Sequence, residues 1–399
     1  MLLNETCLSG VDTLGVAVSG GGDSMALLHM LASRFDGLRA VTVDHGLRPE
    51  SAAEAAMVAD FCQTLGVPHT TLEWRDWNRT GNLQSEARAA RLRLIGDWAR
   101  GRGITHVALG HTLDDQAETV LLRLLRGSGV DGLSGMAEHR HDAGLTWIRP
   151  LLQARRADLR TYLEDRGIAW VDDPSNDDPH YARVRARKAI GMLGLDVAGL
   201  AATATRMRRA RAVLEADTEA LADAVVEVTD AGEVRIGRAE FDVAPEELRL
   251  RLMAGALRWV SGAPYRPRFD NLAALLADPD GRTLHGCTIR LRSGKILVRR
   301  EVSKVPPPVP VGELWDTRWI ADPEATAVAA THIGALGERG LAQCDGWRET
   351  GHAREVLLAA PALWNDGALV AAPLAGMANG WACRLKEGKK GLNNLLMGG

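Results

Sequence analysis

The chain has 399 residues, which is too long for one compact core and predicts two or three domains. Hydrophobic residues make up 46% of it and charged residues 25%, as in ordinary folded proteins, so composition alone points to no function. The formal net charge of −3 excludes a general attraction to nucleic acid and leaves only local patches for such binding.

The cysteines and the apolar runs indicate the compartment. The five cysteines are scattered, odd in number and never spaced as C-x-x-C. This argues against a disulfide framework, a structural zinc site and an iron–sulfur cluster, and it fits a reducing compartment. We see no signal-peptide pattern and no stretch near about 20 uninterrupted apolar residues. We therefore expect a cytoplasmic protein without a membrane span.

Short apolar runs alternate with helical periodicity in the first half of the chain. The predicted strands are Thr13–Ser19, Leu38–Asp44, His69–Trp74 and Thr105–Gly110. The predicted helices are Ser24–Phe35, Ser51–Leu65, Asn82–Arg102 and about Leu113–Arg126. This alternation predicts an α/β fold with a doubly wound parallel sheet, whose ligand binds at the carboxyl ends of the strands.

After Pro150 the pattern changes to a second, mostly helical domain. Its predicted helices are Asp158–Arg166, Arg183–Leu193, Leu200–Val226 and Pro245–Val260. A strand near Glu233–Phe241 and a hairpin of Thr283–Arg292 and Lys295–Glu301 accompany them. The proline run Val305–Pro310 predicts a semi-rigid linker to a small C-terminal module, and Lys386–Gly399 resembles a loose tail. The predicted domains are residues 1–195, 196–304 and 305–399.

A glycine loop, Ser19–Ser24 (SGGGDS), follows the first predicted strand and opens a helix. Consecutive glycines let backbone N–H groups approach a phosphate, and the helix N-terminus adds partial positive charge. The phosphate-binding candidates are Ser19, Gly20, Gly21, Gly22, Asp23 and Ser24, with Asp23 also a candidate magnesium ligand. The loop has neither the lysine of a Walker A motif nor the G-x-G-x-x-G spacing. His45, at the end of the second strand, is a candidate for nucleotide contact or a simple loop histidine.

His111, Asp115 and Glu118 follow the strand that ends at Gly110, with spacing i, i+4 and i+7. This spacing predicts one helical face at the same edge of the sheet as the glycine loop. Carboxylates beside a polyphosphate hold magnesium or position a nucleophile, so all three are catalytic candidates and Asp115 is a second metal-ligand candidate. The alternative is that these acids only suit the helix dipole. Arg126, at the end of that helix, is a candidate for neutralising charge on an α-phosphate.

Two basic runs stand out against the near-neutral total. One lies between His180 and Arg211, and the other between Arg282 and Lys304. Such runs bind phosphate backbones or form solvated faces, and the sequence leaves both alternatives open.

The glycine loop resembles the signature of PP-loop enzymes, which split ATP between the α- and β-phosphates and have an adenine-nucleotide alpha-hydrolase-like fold. His111–Met136 (HTLDDQAETVLLRLLRGSGVDGLSGM) together with VDHGLR at Val43–Arg48, Arg149–Leu152 and DPSN at Asp173–Asn176 resembles the tRNA(Ile)-lysidine synthetase family. The resemblance is good over about residues 14–190, moderate in the middle domain and poor in the last ninety residues. Where relatives commonly have Arg-Asn-Arg, this chain has Arg183-Val184-Arg185.

This resemblance implies a two-step reaction with ATP and Mg²⁺ as cofactors. ATP would adenylate the C2 oxygen of the wobble cytidine in an isoleucine tRNA with a CAU anticodon, and free L-lysine would then displace AMP. Asp115 or Glu118 would position and deprotonate the lysine amine. The tRNA phosphates would be held by Arg183, Arg185, Arg187, Arg206 and Arg209. A homodimer is an open alternative to a monomer.

Three other functions compete with this interpretation. A PP-loop enzyme that thiolates a tRNA base usually carries paired cysteines, which this chain lacks. A PP-loop amide ligase or amidotransferase acting on a small molecule would not need the arginine runs. A regulatory protein that binds a nucleotide without catalysis would not need the acidic helix beside the glycine loop.

Overall fold

The computed structural model describes residues 2–46, 50–75, 83–142, 144–172 and 178–397, apart from the side chains of Gln84 and Ser85. The chain splits into two compact units, Met1–Arg211 and Ala212–Gly399. The DPSN motif at Asp173–Asn176, and Leu47 and Arg48 of the VDHGLR motif, lie outside the described residues. Among the described helices, none is long and apolar enough to cross a membrane.

The first unit is built on a six-stranded sheet in the order β3-β2-β1-β4-β6-β5. Its strands are β1 (Leu14–Ala17), β2 (Leu38–Asp44), β3 (His69–Glu73), β4 (His106–Leu109), β5 (His139–Asp142) and β6 (Leu145–Ile148). All neighbours pair in parallel except β5, which runs antiparallel to β6 at the edge. The predicted doubly wound parallel sheet is confirmed. Strand order reverses between β1 and β4, the place where such sheets bind ligands.

Helices cover both faces of this sheet. The helices of this unit are α1 (Gly22–Ala32), α2 (Ser51–Thr64), α3 (Leu83–Arg100), α4 (Leu113–Leu124), α5 (Val130–Leu133), α6 (Arg156–Glu164), α7 (Ala182–Met192) and α8 (Val197–Val225), which runs past the end of the unit. One core cluster joins α1, α2 and α6 to the sheet, and another packs Ile95 and Trp98 of α3 against Val107 and Trp147 on the sheet. Both faces are therefore buried, as a parallel sheet requires.

The second unit begins with a five-stranded antiparallel sheet in the order β7-β8-β11-β10-β9. Its elements are β7 (Val226–Val228), β8 (Val234–Gly237), α9 (Arg238–Val243), α10 (Glu246–Ser261), α11 (Phe269–Ala277), β9 (Thr283–Leu284), β10 (Cys287–Arg292) and β11 (Lys295–Arg300). The predicted hairpin is confirmed, since Arg292 pairs with Lys295 across the turn. The predicted strand at 233–241 is observed as β8, which ends at Gly237, and the chain continues as α9. With five strands, this region holds more sheet than its helical periodicity suggested.

The C-terminal part of this unit has a four-stranded and a two-stranded sheet, β12-β14-β15-β16 and β13-β17. Its elements are β12 (Val309–Pro310), β13 (Trp319–Pro323), β14 (His332–Ala335), α12 (Gly337–Leu341), α13 (Arg354–Leu358), β15 (Pro361–Asn365), β16 (Ala368–Ala371), β17 (Trp381–Leu385) and α14 (Lys389–Leu396). Trp315 and Trp319 are fully buried at the centre of this part.

The expectation of a loose tail after Lys386 was wrong. Helix α14 packs on α10 and buries Leu392 and Leu396 in the same cluster as the five-stranded sheet. Gly255 of α10 makes this approach feasible, because a Cβ there would overlap Leu396. The end of the chain therefore belongs to the core of the second unit.

We expect Leu392→Ala to lower the free energy of unfolding by about 2–5 kcal/mol, because it leaves a cavity beside α10. Urea denaturation measures this change. Met397→Ala, at a half-exposed neighbouring position, is the matched control and should change the free energy by less than about 0.5 kcal/mol. Equal unfolding midpoints for both variants would mean that α14 contributes nothing to the core.

Candidate active site

The glycine loop joins β1 to α1 and is held closed by Ser24. Its hydroxyl donates to the Gly21 carbonyl oxygen at 2.8 Å and accepts from the Ser19 backbone N–H at 3.1 Å. Gly20 has φ +83, a conformation that favours glycine. Because the first N–H groups of a helix lack helical acceptors, those of Gly22 and Asp23 are suited to a phosphate. Ser24 thus shapes the loop, and Ser19 is the better placed hydroxyl for a ligand.

Two neighbours fix the surroundings of the loop. A Cβ at Gly110, just after β4, would lie 3.1 Å from the Ser24 nitrogen, so only glycine lets the end of β4 approach the start of α1. Trp170 lies over the other side, since a Cβ at Gly22 would be 3.4 Å from its Cδ1 atom, and Val171 donates its N–H to the Gly20 carbonyl at 2.9 Å. Sequence reasoning missed Trp170, although its apolar run directly precedes the DPSN motif.

Helix α4 carries the acidic residues Asp115 and Glu118 near the glycine loop. Thr112 caps the helix by accepting the Asp115 N–H at 3.4 Å, and its own N–H and hydroxyl donate to Asp115 Oδ2 at 2.8 and 2.9 Å. The cap fixes the Asp115 carboxylate, whose other oxygen accepts from Arg156 and Arg183. Glu118 lies one turn further along and is only 1% exposed. Its Oε2 atom is buried and has no hydrogen-bond partner among the described residues.

Arg156, the first residue of α6, ties the acids together. Its Nε donates to Asp23 Oδ2 at 2.9 Å and its Nη2 to Asp115 Oδ1 at 3.1 Å, while its Nη1 lies 3.5 Å from Glu118 Oε1. We call Asp23, Asp115 and Glu118 the acidic cluster. The predicted proximity of the glycine loop and the α4 carboxylates is confirmed by these shared contacts.

Sequence reasoning missed Arg156 and its neighbour Arg155, which contacts Asp114 at 3.3 Å. A signal was available, because cations at a helix N-terminus oppose the dipole and so indicate an acidic partner. The partner itself could not be identified, since Asp23 and Arg156 are 133 positions apart in the sequence.

The charges of the cluster follow from burial and from these pairs. Burial raises the pKa of the Asp23 carboxyl, although the Arg156 charge opposes the shift. Burial also favours a higher pKa at Asp115, but the charges of Arg156 and Arg183 outweigh it and hold that pKa below its ordinary value. Burial alone would lower the pKa of Arg156, whereas Asp115 and Asp23 outweigh burial and raise it. Asp115 is therefore an anion and Arg156 a cation at neutral pH.

His111 differs from its predicted position. It precedes the Thr112 cap, so it lies outside α4 rather than on its acidic face. Its Nδ1 atom is buried without a partner among the described residues. Burial lowers the pKa of His111 well below its ordinary value, and the nearby charges of Arg149 and Arg183 add to this, although Asp115 opposes the shift. The imidazole is therefore neutral at neutral pH. It can donate or accept a hydrogen bond, but it supplies no positive charge.

His45 lies at the end of β2, as predicted. Its Nε2 atom is 3.2 Å from Arg91 Nη2, and its ring meets Trp74 edge-on with centroids 5.7 Å apart. Burial and the Arg91 charge lower the pKa of His45 to about 4. None of the described contacts of His45 involves the glycine loop, so its contact with a nucleotide stays a prediction.

The arginines assigned to tRNA divide into two groups. Arg183 and Arg187 of α7 turn inward, where Arg183 donates to Asp115 at 3.3 Å and Arg187 to Glu118 at 2.8 Å. Arg185 instead donates to the carbonyl oxygens of Pro179 and His180. Arg206 and Arg209, on α8, are exposed, as are Arg185 and Arg187 on α7, whereas Arg183 is half-buried. The predicted basic run is therefore partly a wall of the acidic cluster.

Arg126 does not join the cluster. It lies just beyond the C-terminal end of α4 and is exposed, about 16 Å along the helix axis from Asp115. The prediction that it neutralises an α-phosphate beside these acids does not fit this placement, because three helical turns separate it from them.

Comparison with known proteins identifies the family of the chain. A family model of the PP-loop domain matches residues 2–193. The tRNA(Ile)-lysidine synthase of Ruegeria pomeroyi is 44% identical over 389 residues, which cover 94% of this chain and 92% of that protein. That of Wolbachia sp. subsp. Brugia malayi is 38% identical over 73% of this chain and 71% of its own length, and that of Bradyrhizobium sp. is 44% identical over 70% and 82%. With the glycine loop and the acidic cluster in place, this similarity over nearly the whole chain shows that it belongs to the tRNA(Ile)-lysidine synthase family.

Proposed function

We propose that the chain uses ATP to join L-lysine to C2 of the wobble cytidine in an isoleucine tRNA with a CAU anticodon. The C2 oxygen of the base attacks the α-phosphate of ATP and pyrophosphate leaves. The lysine amine then attacks C2, and AMP leaves with that oxygen. The observation that carries this proposal is that Arg156 joins Asp23 of the glycine loop to Asp115 of α4 in a chain of this family.

The first step needs a polyphosphate held at the start of α1. The N–H groups of Gly22 and Asp23 and the Ser19 hydroxyl are suited to the departing pyrophosphate oxygens. Arg156 and Arg183 bring positive charge to the same edge of the sheet, and this favours an anionic transition state. Trp170 lies against Gly22 on the other side of the loop.

Magnesium fits the acidic cluster as a partner of ATP. Asp23 and Asp115 are hard oxygen donors that both face one cation, the Arg156 guanidinium, so the site is built to hold positive charge between them. Mg²⁺ usually takes one or two carboxylates and completes its shell with phosphate oxygens and water. Asp23 and Asp115 would hold it, and it would supply charge neutralisation on the phosphates.

The second step needs a neutral amine. Glu118 Oε2, buried and without a partner among the described residues, is an acceptor available to a lysine ammonium. Asp115, an anion at neutral pH, lies one turn away and can hold the same group or accept its proton. Arg187 and Arg156 keep the Glu118 carboxylate in place through its other oxygen.

The alternative of sulfur transfer has less support from the cysteines. Cys7, Cys62, Cys287 and Cys344 are buried and Cys383 is half-buried. Burial raises the pKa of Cys62 to about 11 and that of Cys287 to about 12, which disfavours the thiolate that a sulfur relay needs.

The test is an ATP turnover assay with purified protein, labelled lysine and unmodified CAU-anticodon isoleucine tRNA, each omitted in turn. We expect AMP and pyrophosphate release to require tRNA and lysine for full turnover, with label entering the tRNA. Turnover that is indifferent to tRNA would indicate a small-molecule ligase. AMP formation that requires tRNA but incorporates no lysine would indicate thiolation.

A further inference from the structure

The segment Tyr265–Phe269 (Tyr-Arg-Pro-Arg-Phe), between α10 and the first turn of α11, exposes aromatic side chains unlike the rest of the chain. Tyr265 is 80% and Phe269 65% exposed. In the part of the chain that the structure describes, every other Tyr, Phe and Trp is buried or half-buried. We call this segment the aromatic loop. Exposed aromatic rings offer a large apolar contact area for a partner, and such rings are enriched at binding surfaces.

The loop has a fixed backbone. Pro264 and Pro267 restrict φ, and the Arg258 guanidinium donates to the Pro264 carbonyl oxygen at 3.3 Å. His285, in the turn between β9 and β10, lies with Nε2 2.8 Å from the Tyr265 carbonyl oxygen. The aromatic rings are therefore presented from an ordered backbone, which reduces the conformational entropy lost on binding.

The charge around the rings is positive. Arg266 and Arg268 alternate with the aromatic residues, and the pKa of Arg258 is lowered by burial and by the nearby charge of Arg266. Exposed Lys304 is close as well, since a Cβ at Gly286, next to His285, would lie 3.7 Å from Lys304 Cβ and 3.8 Å from Ser261 Cβ at the end of α10. The loop and its neighbours thus carry four positive charges, on Arg258, Arg266, Arg268 and Lys304. The carboxylates near them in the sequence are only two, those of Asp270 and Glu301.

We propose that the aromatic loop binds unpaired nucleotides of the tRNA substrate, with Tyr265 and Phe269 stacking on bases and Arg266, Arg268 and Lys304 contacting phosphates. Exposed aromatic rings set among arginines have the chemistry that recognises single-stranded RNA, where bases stack on rings and cations follow the backbone. A protein partner would have less use for this excess of cations. This inference rests on the proposed function for its RNA.

The test measures binding of the full chain to unmodified CAU-anticodon isoleucine tRNA at several salt concentrations. We expect Tyr265→Leu and Phe269→Leu each to weaken binding about tenfold, with the slope of log K against log salt unchanged, because leucine is apolar but has no aromatic face. Tyr265→Phe should bind like the unaltered chain. Arg268→Ala should weaken binding and reduce the slope by roughly 0.7–0.9, as the loss of one phosphate contact does. Val243→Ala, at an 83% exposed apolar position of the same unit, is the control and should leave binding unchanged.

The outcomes separate this inference from the proposed function. If the unaltered chain forms lysidine and both leucine variants bind tRNA as tightly as it does, the aromatic loop is not an RNA site, although the proposed function stands. If the leucine variants instead lose self-association in sedimentation with tRNA affinity unchanged, a second copy covers the loop and the inference is wrong. If the unaltered chain does not bind this tRNA, both the inference and the proposed function fail.

Discussion

An Asp115→Asn variant is expected to form lysidine about 100- to 10,000-fold more slowly than the unaltered chain while remaining folded. Asparagine keeps an oxygen that can accept from the N–H and hydroxyl of Thr112, so the start of α4 stays capped. What it loses is the negative charge that faces Arg156 and Arg183 at 3.1 and 3.3 Å. Without that charge the carboxamide can neither take a proton from an ammonium nor hold a metal ion firmly.

The step that slows identifies the role of Asp115. Single-turnover experiments measure pyrophosphate release and lysine incorporation separately. If Asp115 acts only on the lysine amine, pyrophosphate release stays fast and incorporation falls, whereas a magnesium ligand would slow both. Asp97→Asn is the matched control, because this exposed carboxylate on α3 pairs with Arg100 one turn away, and it should keep full activity. Full lysidine formation by the Asp115 variant would remove Asp115 from the mechanism.

The sequence predicts the parallel sheet well because buried strands are short, apolar and bounded by turns. Strand β2 has the predicted bounds, Leu38–Asp44, and β1, β3 and β4 differ by one or two residues at their ends. Strands β5 and β6 were not predicted. Strand β6 (LTWI) is apolar and mostly buried but only four residues long. Strand β5 (HRHD) is exposed along its whole length and has no apolar residue, so only pairing with β6 makes it a strand. Periodicity detects burial, and an edge strand has little of it.

The sequence predicted only those parts of the site whose residues lie close together in the chain. The glycine loop and the α4 acids each lie within a few residues, and the sheet topology brings them together. Arg156 and the inward turn of Arg183 and Arg187 depend on contacts between segments far apart in the chain. The same basic residues fit a solvated helix face or a buried ion pair, and spacing alone does not distinguish them.

Helix α14 shows a second reason why prediction from the sequence fails. The segment from Lys386 onward is rich in glycine and lysine, which favours a tail, but Leu392 and Leu396 are four positions apart and share one helical face. Their burial depends on Gly255, which lies more than a hundred residues earlier in α10. The helix is stable because of this tertiary contact rather than because of its own propensity.

An Arg156→Ala variant is expected to lose about 3 kcal/mol of unfolding free energy at neutral pH, the largest stability effect we predict for a single residue of the site. Arg156 is the one side chain seen to contact all three members of the acidic cluster among the described residues. Removing it leaves Asp23, Asp115 and Glu118 together with less opposite charge, although Arg183 and Arg187 still contact two of them. Arg126→Ala makes the same chemical change at an exposed position and should cost less than about 0.5 kcal/mol.

The pH dependence distinguishes this electrostatic effect from lost packing. In the unaltered chain the pKa of Asp115 is held below its ordinary value, so its contribution to stability is present above the unfolded pKa of about 4 and is lost as the pH falls through the folded value. Without Arg156, burial is opposed less and the pKa values of Asp23 and Asp115 rise, so these two carboxyls ionise at a cost as the pH increases from about 4 to 7. The deficit of the Arg156→Ala variant should therefore be largest near pH 7.5 and shrink towards pH 5. Denaturant unfolding at both pH values measures it. A deficit of the same size at both would mean that Arg156 stabilises the unit through packing of its side chain rather than through its charge.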